Sequence, residues 1–322
     1  MRIVMLGLRG LHPDLEIGGF DTAFAEIAPR LVARGHSVII YCRANAHSLE
    51  RRPAEENGVT LEYMPSPGGK NYAAIVSTLL AVLHAFTAKR YDVWFFVNVG
   101  MGHHAALARL SGRPVVMNVD GLDWTRGKWG PIARFYFQSA ARSAVRFCSA
   151  LITDAVAMQE YYRERLGRET EMIAYGAEIG DSRCAGKIAA FGIAPREYHL
   201  IVSRFIPENS LIEMLEGFRQ SGTSKRLVVV GNASYEDSYQ VRLREIAASD
   251  ERIIMVGLVK DQSVLRELWC NCSVYMHGHS VGGTNPHCCA RWGLEAACLH
   301  WTRCSTARRS ADRGGTSRIP RT

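Results

Sequence analysis

Ser273-Val-Tyr-Met-His-Gly-His-Ser-Val-Gly-Gly-Thr-Asn-Pro286 is the stretch whose reading decides the fold. Its first five residues, Ser273–His277, are rich in β-branched and aromatic side chains and read as a short strand. The loop Gly282-Gly283-Thr284-Asn285 then presents backbone N–H groups at the expected start of a helix, a natural phosphate cradle. A strand, a glycine loop and a helix start are one repeat of a parallel α/β sheet.

Outward from that stretch the same repeat recurs. Strands are predicted at His199–Ser203, Leu227–Gly231 and Ile253–Val256, separated by helices near 208–220, 236–248 and 261–270. A polar, irregular stretch over 176–196 precedes them and reads as a linker. Before it lie strands at Ile3–Leu8, Val38–Cys42, Val59–Met64, Val93–Asn98, Val115–Val119, Ala150–Thr153 and Glu171–Tyr175. Helical segments near 20–34, 71–88, 102–110, 130–148 and 155–166 join them. The reading is two Rossmann-like domains, 1–175 and 197–286, facing a cleft at the carboxyl ends of their strands. The second is incomplete, because the text after Pro286 supplies no helix, and 287–322 is expected to be disordered.

A length of 322 residues suits two α/β domains of about 150 each. The net charge of +8 is uneven. Residues 287–322 carry seven arginines against Glu295 and Asp312, a net of +5, which leaves +3 for residues 1–286. A mild positive balance suits an anionic ligand or membrane surface and does not require nucleic acid. Five scattered cysteines point to a reducing, cytoplasmic compartment, and Met1-Arg-Ile-Val opens a strand directly, so no signal peptide is expected. The apolar run Ala73–Ala88 is short for a membrane span and reads as a buried helix.

Several constellations could carry chemistry. Gly7, Gly10, Gly18 and Gly19 lie between the first strand and helix, where glycine lets backbone approach a ligand. They do not form a dinucleotide fingerprint, and a plain strand-to-helix loop fits them too. Asp120, in Val119-Asp-Gly-Leu-Asp-Trp124, follows a strand and could orient a hydroxyl or act as an acid/base; Asp-Gly is also ordinary turn chemistry. Residues 133–147 carry Arg134, Arg142 and Arg146 among aromatics, suiting either anionic lipid or a solvated face. Arg204 could clamp a diphosphate with its forked donors. His277 and His279 flank the glycine loop.

Gly18-Gly-Phe-Asp-Thr22, Val119–Trp124, Arg204-x-x-Pro-Glu-Asn209 and His277–Pro286 together resemble family 4 retaining glycosyltransferases of the GT-B fold. The likeness is to the bacterial rhamnosyltransferase-like branch that builds surface polysaccharides, and it covers residues 1–286. It implies a nucleoside diphosphate sugar donor, rhamnose among the candidate sugars, and transfer with retention to a saccharide on a polyprenyl diphosphate. It implies an enzyme peripheral to the inner membrane, with no metal or other cofactor. Arg204 and Gly282, Gly283, Thr284 and Asn285 would contact the diphosphate, with Glu208, Asn209 and His279 also on the donor side and Gly257 near the base. Gly18, Gly19 and Asp120 would face the reacting sugar. Two departures stand out: Gly282 and Ala290 occupy the places of a glutamate pair common in the wider family, and Glu208-Asn209 lies where a lysine partner of the diphosphate arginine is usual. A dinucleotide-binding oxidoreductase or epimerase remains an alternative, without the acidic ribose partner it needs.

The tail has its own reading. Joining each codon's third base to the next two bases turns Pro286-His-Cys-Cys-Ala-Arg-Trp-Gly293 into small-Leu-Leu-(Arg/Cys)-x-(Leu/Met/Val)-Gly. That is the helix the family has at this point. Residues 287–322 therefore read as out-of-frame text, and a catalytically impaired, truncated remnant of such an enzyme stands as an alternative. The rival reading, a metal site from His287, Cys288, Cys289, Cys298, His300 and Cys304, lacks a Cys-x-x-Cys pair.

Overall fold

The computed structural model describes residues 1–11, 19–44, 52–67, 72–88, 91–126, 129–176, 184–232, 238–279 and 298–300. Two sheets organise them. The first contains β1 (Arg2–Leu6), β2 (Ser37–Arg43), β3 (Glu55–Glu56), β4 (Val59–Met64), β5 (Val93–Val97), β6 (Val115–Asn118), β7 (Ala150–Thr153) and β8 (Glu171–Met172). Their spatial order is β3-β4-β2-β1-β5-β6-β7-β8, and every pairing is parallel except β3 with β4. Helices α1 (Gly19–Ala33), α2 (Ala73–Ala88), α3 (Gly102–Arg109), α4 (Pro131–Phe147) and α5 (Val156–Leu166) make the crossovers.

Successive residues of a strand face opposite sides, so one central strand feeds two cores. In β1, Ile3 and Met5 join Phe24 and Ala28 of α1, whereas Val4 and Leu6 join Val82 and Ala85 of α2 and Ala105 of α3. The sequence expectation for α2 needs refining. Ser77, Thr78, Ala81, Val82 and Ala85 are buried, but Leu79, Leu80 and Leu83 are exposed, so the helix is half-buried. Among the described residues no helix is long and apolar enough to cross a membrane.

The second sheet contains β9 (Tyr198–Val202), β10 (Arg226–Val230), β11 (Ile253–Gly257), β12 (Val274–His277) and β13 (Cys298–His300), with α6 (Leu211–Gln220), α7 (Ser238–Ala248) and α8 (Gln262–Asn271). The order is β11-β10-β9-β12-β13, all parallel. Again the central strand divides its side chains. Leu200 and Val202 of β9 pack with Leu265 and Leu268 of α8, and Ile201 packs with Leu215 of α6 and Leu243 of α7. Of the tail, Cys298–His300 is described, paired in parallel with Tyr275–His277.

The strands expected from the alternation are present, most within a residue or two of their predicted ends. The additions are β3, an antiparallel pair of residues beside β4 closed by Asn57 and Gly58 at positive φ, and β13, which falls in the stretch expected to be disordered.

Two glycines show how tightly the helices are seated. Gly102, at the start of α3, has no room for a side chain: a Cβ there would lie 1.9 Å from the Ala140 carbonyl oxygen of α4. Gly217, inside α6, would meet nothing within 4 Å. Gly102→Ala is expected to destabilise the protein by about 2–3 kcal/mol through overpacking. Gly217→Ala is expected to stabilise it by about 0.5–1 kcal/mol through helix propensity. Thermal or urea unfolding of both variants checks this, and equal, small effects would refute the close α3–α4 contact.

Candidate functional site

Both sheets reverse their winding direction once, between β1 and β5 and between β9 and β12. Connections leave such a point on opposite faces and open a crevice at the carboxyl ends of the strands, where ligands of doubly wound sheets bind. Most of the polar residues singled out above that the structure describes stand at these two edges.

On the first sheet, β6 delivers Asp120 and β7 delivers Asp154. The two are nearly buried, at 8% and 2% exposure. Asp120 Oδ1 accepts the backbone N–H of Asp154 at 2.9 Å, and its Oδ2 accepts the Tyr175 hydroxyl at 2.6 Å. The Asp120 N–H in turn donates to Asn118 Oδ1 at 3.0 Å. Burial, and then the neighbouring Asp154 carboxyl, push Asp120 up from the usual carboxylate range to about 7. Burial and the adjacent Asp120 also hold the Tyr175 phenol well above its ordinary value. The pair therefore retains a proton near neutral pH, which suits exchange of a hydrogen bond or proton with a hydroxyl.

A second group adjoins it. Asn98, just past β5, has a positive φ of 74° although it is not glycine. Its side chain holds the strained turn: Oδ1 accepts from Gly100 N at 2.8 Å, and Nδ2 donates to Asp123 Oδ2 at 3.0 Å. Asp123 is further paired with Arg126 at 2.7 Å. Beside β1, the Arg9 N–H donates to Asp21 in the first turn of α1 at 2.8 Å.

On the second sheet, Arg204 is exposed just past β9. Its carbonyl oxygen accepts the Asn209 side-chain amide at 2.7 Å, and Asn209 is 2% exposed. Asn209 thus braces the loop that carries Arg204, while Glu208 beside it is half-exposed. Past β12, the rings of His277 and His279 stack at 4.2 Å with 12° between their planes. A Cβ on the intervening Gly278 would come within 2.6 Å of the Asn209 carbonyl oxygen, so the β9 and β12 loops touch through a gap only glycine leaves. Gly257 ends β11 with φ +79° and open space around it.

Gly19 is the first residue of α1. Gly18, Gly282, Gly283, Thr284 and Asn285 lie outside the described residues, as do the side chains of the rival metal cluster. The structure brings Arg204, Asn209 and the His277–His279 turn together, and it places Asp120 on the other sheet. Sequence reading missed Asp154, Tyr175 and Asn98 as partners of this edge. Asp154 carried the same signal as Asp120, an acidic residue one step past a parallel strand.

Comparison with known proteins fits this geometry. Residues 18–176 match the model of the Glycosyl transferase 4-like domain. No curated protein sequence matches the chain. Among solved structures, HepE of Anabaena in complex with UDP and glucose is similar, with a TM-score of 0.71 at 17% identity over 92% of this chain and 80% of that one. Sucrose-phosphate synthase from Thermosynechococcus elongatus gives a TM-score of 0.75 at 13% identity, over 93% of this chain and 80% of that one. A glycosyltransferase from Rickettsia africae gives 0.67 at 12% identity, over 93% and 78%. At such identities the likeness establishes the fold, the paired parallel α/β sheets of GT-B glycosyltransferases. The amino-terminal unit is similar to that glycosyl transferase 4-like domain over residues 18–176.

Proposed function

We propose that the protein is a retaining glycosyltransferase that moves a sugar, with rhamnose the first candidate, from a nucleoside diphosphate donor to a lipid-linked saccharide. The observation that carries this reading is the exposed Arg204 at the winding reversal of the second sheet, in a chain whose first unit matches a glycosyltransferase domain. A fixed guanidinium suits a diphosphate, and the sequence after β12 adds glycines of the kind that cradle phosphate. Similar folds have been solved with UDP and UDP-glucose, ligands of that class. Gly18, Gly19 and Asp120 are assigned to the reacting sugar. Arg204, Glu208, Gly257, His279 and Gly282–Asn285 are assigned to the donor, and Asn209 acts through Arg204. Calorimetric titration with UDP and dTDP should detect binding that Arg204→Ala weakens by about 10–100-fold, the loss of a hydrogen-bonded charge contact. Tighter binding of NAD, or no effect of the substitution, would favour the oxidoreductase reading instead.

The acceptor half of the proposal places a cytoplasmic protein against the inner membrane. Helix α4 supports it: Ile132 is 88% and Phe135 69% exposed, one turn apart, and Arg134, Arg142 and Arg146 are exposed on the same helix. Apolar wedges beside cations suit anionic lipid. The double variant Ile132→Asp, Phe135→Asp should co-sediment with phosphatidylglycerol vesicles at least about 10-fold more weakly than the native chain. Undiminished sedimentation would sink the membrane assignment.

Residues 287–322 are proposed to be an out-of-frame reading of the family's last elements, which leaves a catalytically impaired remnant of such an enzyme as the second reading. Strand β13 lies parallel to β12, and parallel neighbours require a crossover, usually a helix. The shifted text supplies such a helix over 287–293, whereas the present text has no helical period. Resequencing the gene should reveal a single-base insertion or deletion near the Pro286 codon. An intact frame would end this idea.

A further inference from the structure

Tyr175 has no role in the assignments above, yet it makes the shortest hydrogen bond to the Asp120 carboxyl, 2.6 Å against 2.9 Å from Asp154 N. It stands three residues past β8, on the segment that leaves the first sheet towards the second. A phenol donating to a carboxylate favours its ionised form and fixes the direction of its lone pairs. Asp154, from the adjacent strand, acts the other way, since a second carboxyl beside the first favours the protonated form.

We propose that Tyr175 is a positioning residue for Asp120: its hydroxyl orients that carboxyl and, against Asp154, sets the pH at which the site gives up its proton. The proposal rests on the reading of Asp120 as part of the transfer site. The groups facing Asp120 come from four elements. Asn118 ends β6, Asp154 follows β7, Tyr162 lies on α5, and Tyr175 follows β8. Arg126 engages Asp123 rather than Asp120. No cation is paired with Asp120 among the described residues, so the Tyr175 hydroxyl is the main side-chain donor available to its anion.

The test is a pH titration of the Asp120 carboxyl by carbon-13 NMR on aspartate-labelled full chain, with the signal assigned by Asp120→Asn. The native midpoint is expected near 7. Tyr175→Phe should move it up by about one pH unit, because a donor to the charged form is lost. Asp154→Asn should move it down by about one unit, because a competing charge is lost. Replacement of Tyr175 by 3-fluorotyrosine, a stronger donor of nearly the same shape, should lower the midpoint and serves if the phenylalanine variant fails to fold. The acidic limb of the pH profile for sugar transfer should shift in the same directions. A merely structural tyrosine would alter stability and leave the midpoint in place. An unchanged midpoint in Tyr175→Phe or in the fluorotyrosine protein would overturn the proposal. Full transfer activity in Asp120→Asn would end the reading of Asp120 as a site residue and leave the NMR result standing.

Discussion

Parallel strands can be joined only by chain that crosses back over the sheet, and almost everything in this molecule follows from that constraint. The crossovers bury both faces of the central strands, so β1 and β9 read as near-continuous apolar runs and each feeds two cores. They also place all the strand-to-helix loops of a sheet on one edge. Where the winding reverses, adjacent loops diverge and their backbone is left uncovered. Asn98 occupies that point on the first sheet, and Arg204 and the histidine pair occupy it on the second. The chemistry stands at these edges because packed helices cover the remaining surface of the sheets.

How much of this could be read in the sequence depends on the range of the interaction concerned. Strand and helix identity came from local periodicity, and the strong β-branched runs were placed correctly. Strand β3 escaped because two glutamates in a hairpin leave no periodic trace. Asp120 was legible from its position after a strand. Its partners were not: Asp154 and Tyr175 lie 34 and 55 residues away and meet it only because β6, β7 and β8 are neighbours. A topology, rather than a motif, makes that site. Asn209 shows the converse case. It sits in a legible motif, but burial directs its amide at the Arg204 carbonyl, where it shapes the loop.

Burying two carboxyls side by side is expensive for a fold, and only donors or a shared proton offset it. The first sheet uses both, through the Asp154 N–H, the Tyr175 hydroxyl and a proton retained towards neutral pH. Asp123 shows the ordinary solution in the same connection, an arginine partner and an amide donor. Asp120, by contrast, has no cation paired with it among the described residues and titrates where a sugar hydroxyl could exchange a proton with it. The contrast between two aspartates three residues apart is an argument for function at Asp120, since a purely structural carboxyl would be served as well by an arginine.

The two edges also differ in the kind of charge they offer, and that difference bears on the orientation of a bound donor. The first sheet presents a carboxyl, Asp120, whose charge varies with pH. The second presents a guanidinium, Arg204, whose charge is fixed. A nucleoside diphosphate sugar is polar in the same sense, anionic in the middle and neutral at the sugar. On the proposed reading, an ionised Asp120 repels the diphosphate of a bound donor and Arg204 attracts it, which favours an orientation with the sugar towards the first edge. Protonation of Asp120 relaxes that repulsion without touching Arg204. The proposed assignment therefore makes donor orientation depend on pH chiefly through the first sheet.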